Sequence, residues 1–200
     1  MALIRKSITQ DLPYIYDIAL KTAFAGLDGT PYYHDQWAVG HYYAVPYFFF
    51  EPELCFTAVN DQGVPAGYIV GTSDTRSFNQ WMQDEWLPPL RELYKGVKEF
   101  KSDAEAYTIR QILTGPGEGL WQNLGYPAHL HVDLLDSLQG KGLGKALMHT
   151  FFDAIQAKDV HGVHLGVDGR NVRAFGFYEA MGFAILEEVA GGATFGIKLA

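Results

Sequence analysis

The stretch Gln139-Gly140-Lys141-Gly142-Leu143-Gly144-Lys145 has the residue types of an anion cradle. Glycines let backbone N–H groups approach a phosphate closely, and a helix opening at Leu143 would turn the positive end of its dipole toward the same anion. Spacing removes two nucleotide loops. A Walker A motif places four residues between its first glycine and Gly-Lys-Ser/Thr, whereas three follow Gly140 here and Ala146 stands where the hydroxyl belongs. A dinucleotide fingerprint needs a final glycine where this chain has Lys145. Just upstream, His129, His131 and Asp133 alternate with Leu130, Val132 and Leu134, so on a strand the ionisable groups share one face. Buried charge is costly unless paired. The pattern therefore reads either as a hydrogen-bonded structural His–Asp pair or as a proton-transfer site, for which a His near neutrality is suited. His129 and His131 lack a clear third ligand, so no metal is expected.

The elements that must position these groups follow from periodicity. Leu3 to Ser7 reads as a first strand, and Thr9 as the N-cap of a helix running to about Phe24 with Leu12, Ile15, Ile18, Ala19 and Thr22 on one face. Residues 34–49 form an aromatic-rich helix or pair of short helices interrupted by Pro46. Cys55 to Asn60 and Val64 to Thr72 flank Asp61-Gln62-Gly63 as a hairpin. From Thr75 to about Lys101 an amphipathic helix is expected, broken by Pro88-Pro89, and the glycine-rich loop Gly115-Pro116-Gly117-Glu118-Gly119 follows. The strand carrying His129 leads into the glycine loop and a helix from Leu143 to Lys158. A strand (Gly162 to Val167), a helix (Val172 to Met181) and two strands (Phe183 to Glu188, Thr194 to Leu199) complete the chain. This order predicts an α/β arrangement, a central mixed β-sheet flanked by helices.

Two motifs in this order resemble the GNAT acetyltransferase superfamily. Gln139, Gly142 and Gly144 match the Q/R-x-x-G-x-G/A loop, and Asn171, Ala174, Phe177, Tyr178, Gly182 and Phe183 match N-x-x-A-x-x-F-Y-x-x-x-G-F, one strand later. Tyr126-Pro127-Ala128-His129-Leu130-His131-Val132-Asp133 also resembles the acetyltransferase-like C-terminal domain of animal O-GlcNAcase and its stand-alone bacterial relatives. In the animal domain the loop is degraded; here it is intact, which points to a bacterial type that keeps its cofactor.

The resemblance implies a GNAT acyl-CoA N-acyltransferase fold over residues 1–200, one domain with an aromatic-rich insertion at about 75–128. It implies acetyl-CoA as cosubstrate and transfer of acetyl to an unidentified primary amine by direct attack on the thioester. Backbone amides of Gln139, Gly140, Lys141, Gly142, Leu143, Gly144 and Lys145 would hold the pyrophosphate, with charge from Lys141 and Lys145. Leu134 and Leu135 would pair with the pantetheine arm, where the two central strands splay. Asn171 would bond the pantetheine, hold the loop, or cap its own helix, with Ala174 and Phe177 beside the cofactor. Tyr178 matches the tyrosine near the thioester sulfur, and a phenol with pKa near 10 can protonate a departing thiolate. The family often places a Glu slightly earlier on this strand, where this chain has Tyr126 and Pro127, so the base stays open among Asp133, His131 and His129. A non-catalytic acyl-CoA-binding or interaction module is the alternative.

Composition limits the remaining classes. The chain has 200 residues, 48% apolar and 14% aromatic, enough for one well-buried core. A net charge of −8 argues against sequence-independent nucleic-acid binding and favours a cationic acceptor. Tyr32-Tyr33-His34, Trp37, Tyr42-Tyr43, Trp81 and Trp86 could wall an acceptor pocket through cation–π contact, or simply pack in the core. The single Cys55 can form no intrachain disulfide and lies in an apolar run with no activating neighbour. No signal core or apolar run of membrane-spanning length is present, so a cytoplasmic protein without membrane contact is expected. The aromatic insertion could also supply a homodimer face.

Overall fold

The computed structural model describes residues 3–117 and 120–200; Met1, Ala2 and the Glu118-Gly119 end of the glycine-rich loop lie outside the described residues. Their strands form one seven-stranded sheet in the order β1-β2-β3-β4-β5-β7-β6. The strands are β1 (Leu3–Lys6), β2 (Phe56–Val59), β3 (Pro65–Thr72), β4 (Ala128–Leu134), β5 (Gly162–Asp168), β6 (Ala184–Val189) and β7 (Gly192–Lys198). Every neighbouring pair is antiparallel except β4 and β5, which are parallel. The mixed sheet flanked by helices is the fold that the two motifs imply.

Helices cover the sheet in two layers of different origin. On one face α8 (Leu143–Gln156) buries Leu147, Met148, Phe151, Phe152 and Ile155 against the sheet, an apolar stripe at helical spacing. With α9 (Val172–Ala180) it closes a core that includes Leu130, Ile69, Leu165 and Phe195. The opposite face carries α1 (Leu12–Thr22), α2 (Ala38–Tyr43), α3 (Val45–Phe50), α4 (Thr75–Trp81), α5 (Leu87–Tyr94) and α6 (Asp103–Thr114). Their core gathers Ile15, Ile18, Tyr47, Tyr68, Val70, Phe78 and Ile112. A short α7 (Leu120–Asn123) precedes β4.

Three expectations need correction. Thr9 is not the cap of the first helix: Thr9–Asp11 is a separate 3-10 turn, and the buried Asp11 carboxylate accepts from the Ile8 N–H and from Arg5 at 2.6 Å. The break between α4 and α5 is not at Pro88-Pro89, which occupy the first turn of α5, where missing amide donors cost nothing. It is the π-helical segment Met82–Trp86. Finally, α6 lies where no helix was expected. Its signal was present in the sequence: the Ser102 hydroxyl accepts from the Glu105 N–H at 3.2 Å, the first half of a capping box. Glu105 then reaches outward, and its buried carboxylate accepts from the backbone N–H groups of His34, Asp35 and Lys101. That carboxylate ties α6 to the segment leading into α2. By contrast, the expected interruption near Pro46 is present, with α2 ending at Tyr43 and Pro46 in the first turn of α3.

Candidate active site

The two central strands part company almost at once. β4 and β5 pair only at Ala128–Val163 and His129–His164, although β4 continues to Leu134 and β5 to Asp168. On its other edge β4 stays paired with β3 throughout. The Leu135 N–H donates to the Ala66 carbonyl at 2.9 Å. Because antiparallel residues alternate in hydrogen-bonding direction, the amides and carbonyls of Val132 and Leu134 point into the gap. Leu135, expected to serve the same edge, spends its amide on β3. The backbone available to an added strand is thus one position earlier.

A cavity of about 700 Å³ fills this gap. Val132, Asp133 and Leu134 line it, with Gln139, Gly140, Gly142, Gly144 and Lys145 of the glycine loop, and Asn171, Ala174, Phe177 and Tyr178 of the α9 segment; Lys141 and Leu143, expected to join them, are not among its lining residues. Gly140 and Gly142 adopt φ of 70° and 76°, a left-handed conformation that L residues rarely take, and the space where a Cβ would stand is open at both. Gly142 is the N-cap of α8, with no side chain bonded to the helix end. Among the described residues no side chain caps the first amides of α8, and Gly142, Gly144 and Lys145 at that helix start line the cavity, as an anion site requires. Gly144 serves a different purpose: a Cβ there would press within 3.2 Å of Leu134 and 3.5 Å of Phe177.

Several site residues act through intermediaries. Gln139 is a clasp: its side-chain amide donates to the Leu134 carbonyl at 2.8 Å, and its oxygen accepts from Arg173. Lys141 folds back onto the Ser137 carbonyl at 2.7 Å, while Lys145 lines the cavity. Asn171 caps α9, its oxygen accepting from the Ala174 N–H at 3.1 Å, so of its three expected roles the cap is present. Arg170 and Arg173 also line the cavity, and the signal that could have found them is their charge inside the second motif. Thr22, Ala25, Gly26 and Leu27 close the cavity from the end of α1; nothing in the sequence marked them.

On β4 the three ionisable side chains do share one face, and each is treated differently. His129 is engaged at both ring nitrogens, with the Tyr47 hydroxyl at 2.7 Å and the Thr75 hydroxyl at 2.8 Å. Thr75 gives its own proton to the Pro127 carbonyl at 2.7 Å, so His129 Nδ1 is the donor to Thr75 and Nε2 accepts from Tyr47. Burial, then the neighbouring imidazoles, push the His129 pKa well below the usual value, which agrees with a neutral ring. Asp133 receives the Tyr68 hydroxyl at 2.6 Å on one oxygen, from the residue directly opposite on β3. Burial raises its pKa, and the hydrogen bond from Tyr68 only partly offsets that. His131 packs its ring edge-on to Tyr43 and Tyr47, and among the described residues no group bonds its nitrogens. Burial lowers its pKa to about 4.

Tyr178 stands across the cavity, its ring buried among Phe177, Phe183 and Phe195, with no described residue bonded to its hydroxyl. Its pKa is raised by burial and secondarily by the Asp133 charge. Of the aromatic residues named for an acceptor wall, Tyr43 stands beside β4. Trp81 and Trp86 stack on each other one ring beyond Phe78, and Tyr33 is held by Thr108. Among the described residues the cation–π contacts are Arg170 over Phe24 and Lys198 over Tyr126. Cys55 is fully buried, its thiol pKa pushed up by burial. Among the described residues no helix is long and apolar enough to cross a membrane.

A profile of the acetyltransferase (GNAT) family matches residues 12–183. The chain is similar to the crystal structure of SsHAT, at 31% identity and a TM-score of 0.87, covering 100% of this chain and 98% of that one. It shares its fold with a GNAT superfamily phosphinothricin acetyltransferase (Pat) from Sinorhizobium meliloti in complex with AcCoA. There the identity is 14%, the TM-score 0.61, and the coverage 100% of this chain and 89% of that one. It is also similar to Protein O-GlcNAcase of Rattus norvegicus, 23% identical over 132 residues, which span 65% of this chain and 14% of that protein. The match to the Mus musculus protein is the same. This chain thus corresponds to a small part of those relatives.

Proposed function

The chain belongs to the acetyltransferase (GNAT) family, and from that premise we propose that it transfers acetyl from acetyl-CoA to a primary amine by direct attack on the thioester. One observation carries this reading. The gap between β4 and β5 has an uncapped helix end with two left-handed glycines at one limit, and Asp133 facing Tyr178 at the other. Bound acetyl-CoA supplies the acetyl group already activated as a thioester. The α8 amides with Lys145, Arg170 and Arg173 would hold its phosphates, and the gap-facing backbone of Val132 with the Leu134 N–H its pantetheine arm.

Asp133 is the base. Tyr68 fixes one carboxylate oxygen and leaves the other for the ammonium proton of the acceptor. Its raised pKa narrows the distance to that of an amine, which makes proton uptake less uphill. The freed nitrogen then attacks the carbonyl carbon, whose oxygen is polarised by a gap-facing β4 amide. Tyr178 protonates the departing thiolate, and the proton shed by nitrogen as the tetrahedral centre collapses replaces the one it gave. Asp133 and Tyr178 are coupled. Once Asp133 holds a proton, the negative charge that helped to raise the Tyr178 pKa is gone. The phenol thereby becomes a stronger acid at the moment the leaving group needs one.

In the same reading residues 1–200 form a single unit in which the segment 75–128 is an elaboration on the acceptor side. Support comes from α4, α5 and α6, whose apolar residues join α1 to α3 in one core on that face of β4. The test is acetyl-CoA consumption against a panel of small amines, amino sugars and lysine peptides, with Tyr178→Phe alongside. Turnover in the native protein, lowered about 100-fold in the variant with acetyl-CoA affinity retained, is the expected outcome. Acetyl-CoA that binds but is never consumed supports the non-catalytic alternative.

A further inference from the structure

His129, His131 and Asp133 point to one face of β4, and the protein satisfies them unequally. Both nitrogens of His129 are spent, on Tyr47 and Thr75. One oxygen of Asp133 is spent, on Tyr68. For His131 no described residue takes either nitrogen, although the ring is held firmly between Tyr43 at 5.6 Å and Tyr47 at 5.6 Å. Its neighbour across the ladder, Val70, is apolar and buried. A ring so well located and so incompletely bonded is suited to hydrogen-bond something that arrives from outside.

We propose that His131 reads the acceptor rather than deprotonating it, selecting primary amines that carry an uncharged hydrogen-bonding group, such as a hydroxyl, about two strand positions from the reacting nitrogen. The inference rests on the assignment of Asp133 as the base. Residues two apart on a strand present their side chains about 6–7 Å from each other on the same face. An amine nitrogen at Asp133 thus places a group four carbons away within reach of His131.

The chemistry of the surroundings fixes what that group is. The titratable groups around His131 are Tyr43 from α2, Tyr47 from α3, Tyr68 from β3, His129 and Asp133 from β4, and His164 of β5 behind His129. Asp133 is the carboxylate among them, so an anionic substituent would be repelled. A second cation would find only a neutral imidazole, because burial keeps His131 unprotonated at neutral pH. A neutral imidazole offers one donor and one acceptor nitrogen, which match a hydroxyl or carbonyl.

The experiment uses a matched pair of probes, 4-aminobutan-1-ol and butylamine, with acetyl-CoA and the full chain. The native protein is expected to favour the amino alcohol about tenfold in kcat/KM, the worth of one neutral hydrogen bond. His131→Phe keeps the aromatic volume and should bring the two amines to parity by raising the KM of the alcohol, with kcat for butylamine and the acid limb of the pH profile unchanged. His131→Gln restores hydrogen bonding and should recover most of the preference. The inference is overturned if the native protein shows no preference or acetylates neither amine. It is equally overturned if His131→Phe retains the preference, or if that variant lowers kcat on both amines and removes the acid limb, as loss of a base would. Asp133→Asn separates the two levels. Unchanged turnover of both amines in that variant defeats the assignment of Asp133, whereas abolished turnover with an intact preference in His131→Phe defeats this inference alone.

Discussion

At its glycine-loop end the cleft is made largely of backbone from one contiguous run, Gly140 to Lys145, while Thr22 and Asp133 line it further in, with Tyr68 bonded to Asp133 and Tyr43 packed on His131 behind them. The first end needs only left-handed turns and a helix start, so short-range sequence suffices to build it. The second depends on β3 pairing with β4 in one register and on α1 to α3 lying across that face. A local site tolerates change elsewhere in the fold. A convergent site is only as accurate as the packing around it. The two ends should therefore fail in separable ways.

The largest effect is expected from Asp133→Asn. It should lower kcat about 10³-fold, within the usual range for a general base, with the acetyl-CoA Kd unchanged in calorimetry. The same change should raise the melting temperature. The folded pKa of Asp133 lies above its ordinary value, so the native state holds the proton more tightly than the unfolded chain. Stability is then lost as pH rises from the ordinary carboxylate value through the raised one. The amide variant should lack that loss. An acetyl-CoA affinity that collapses with Asp133→Asn would break the separation of the two ends.

Next comes Glu105→Ala. It strands the backbone donors of His34, Asp35 and Lys101 that the carboxylate now receives, and should cost about 3 kcal/mol in chemical denaturation. Acetyl-CoA bound by the folded fraction should keep its Kd, since α6 packs on the α1–α3 face of the sheet and does not line the cavity. Smaller again is Gly142→Ala, which forces a Cβ into a left-handed conformation at a cost of about 1–2 kcal/mol. Acetyl-CoA should bind about tenfold more weakly with kcat at saturation unaltered, the mirror image of Asp133→Asn. The smallest effect is Tyr68→Phe. The Tyr68 hydroxyl lowers the Asp133 pKa, so its removal should move the acid limb of kcat/KM to higher pH, with a loss of a few-fold at neutral pH. An unmoved acid limb would show that Tyr68 only packs.

How far the sequence could be read follows the same division. The succession of strands and helices along the chain, the glycine loop and the helix carrying Tyr178 were legible because turn chemistry and apolar period are local properties. The alternation of His129, His131 and Asp133 also gave their shared face correctly. What it could not give was their partners. Tyr68 sits in an ordinary apolar strand, Tyr47 in an aromatic run with several equivalent neighbours, and Thr75 at a helix start. Leu135 was misassigned because the direction of its amide depends on the β3 register, which no spacing within β4 discloses. The helix Asp103–Thr114 carried a local signature in Ser102 and Glu105, although the expected organisation placed no helix there.

The sequence by itself determined that this chain builds a mixed sheet with a backbone anion site at the start of α8, since both follow from residues near one another along the chain. Only the tertiary structure decided which of three ionisable groups on β4 remains free to act. Hydrogen bonds with Tyr47, Thr75 and Tyr68 consume His129 fully and Asp133 by half, and no described residue bonds His131. Those partners lie 82, 54 and 65 positions away in the chain. A group's availability for chemistry is set by whether a partner reaches it, and partners at such separations are brought into range only by packing.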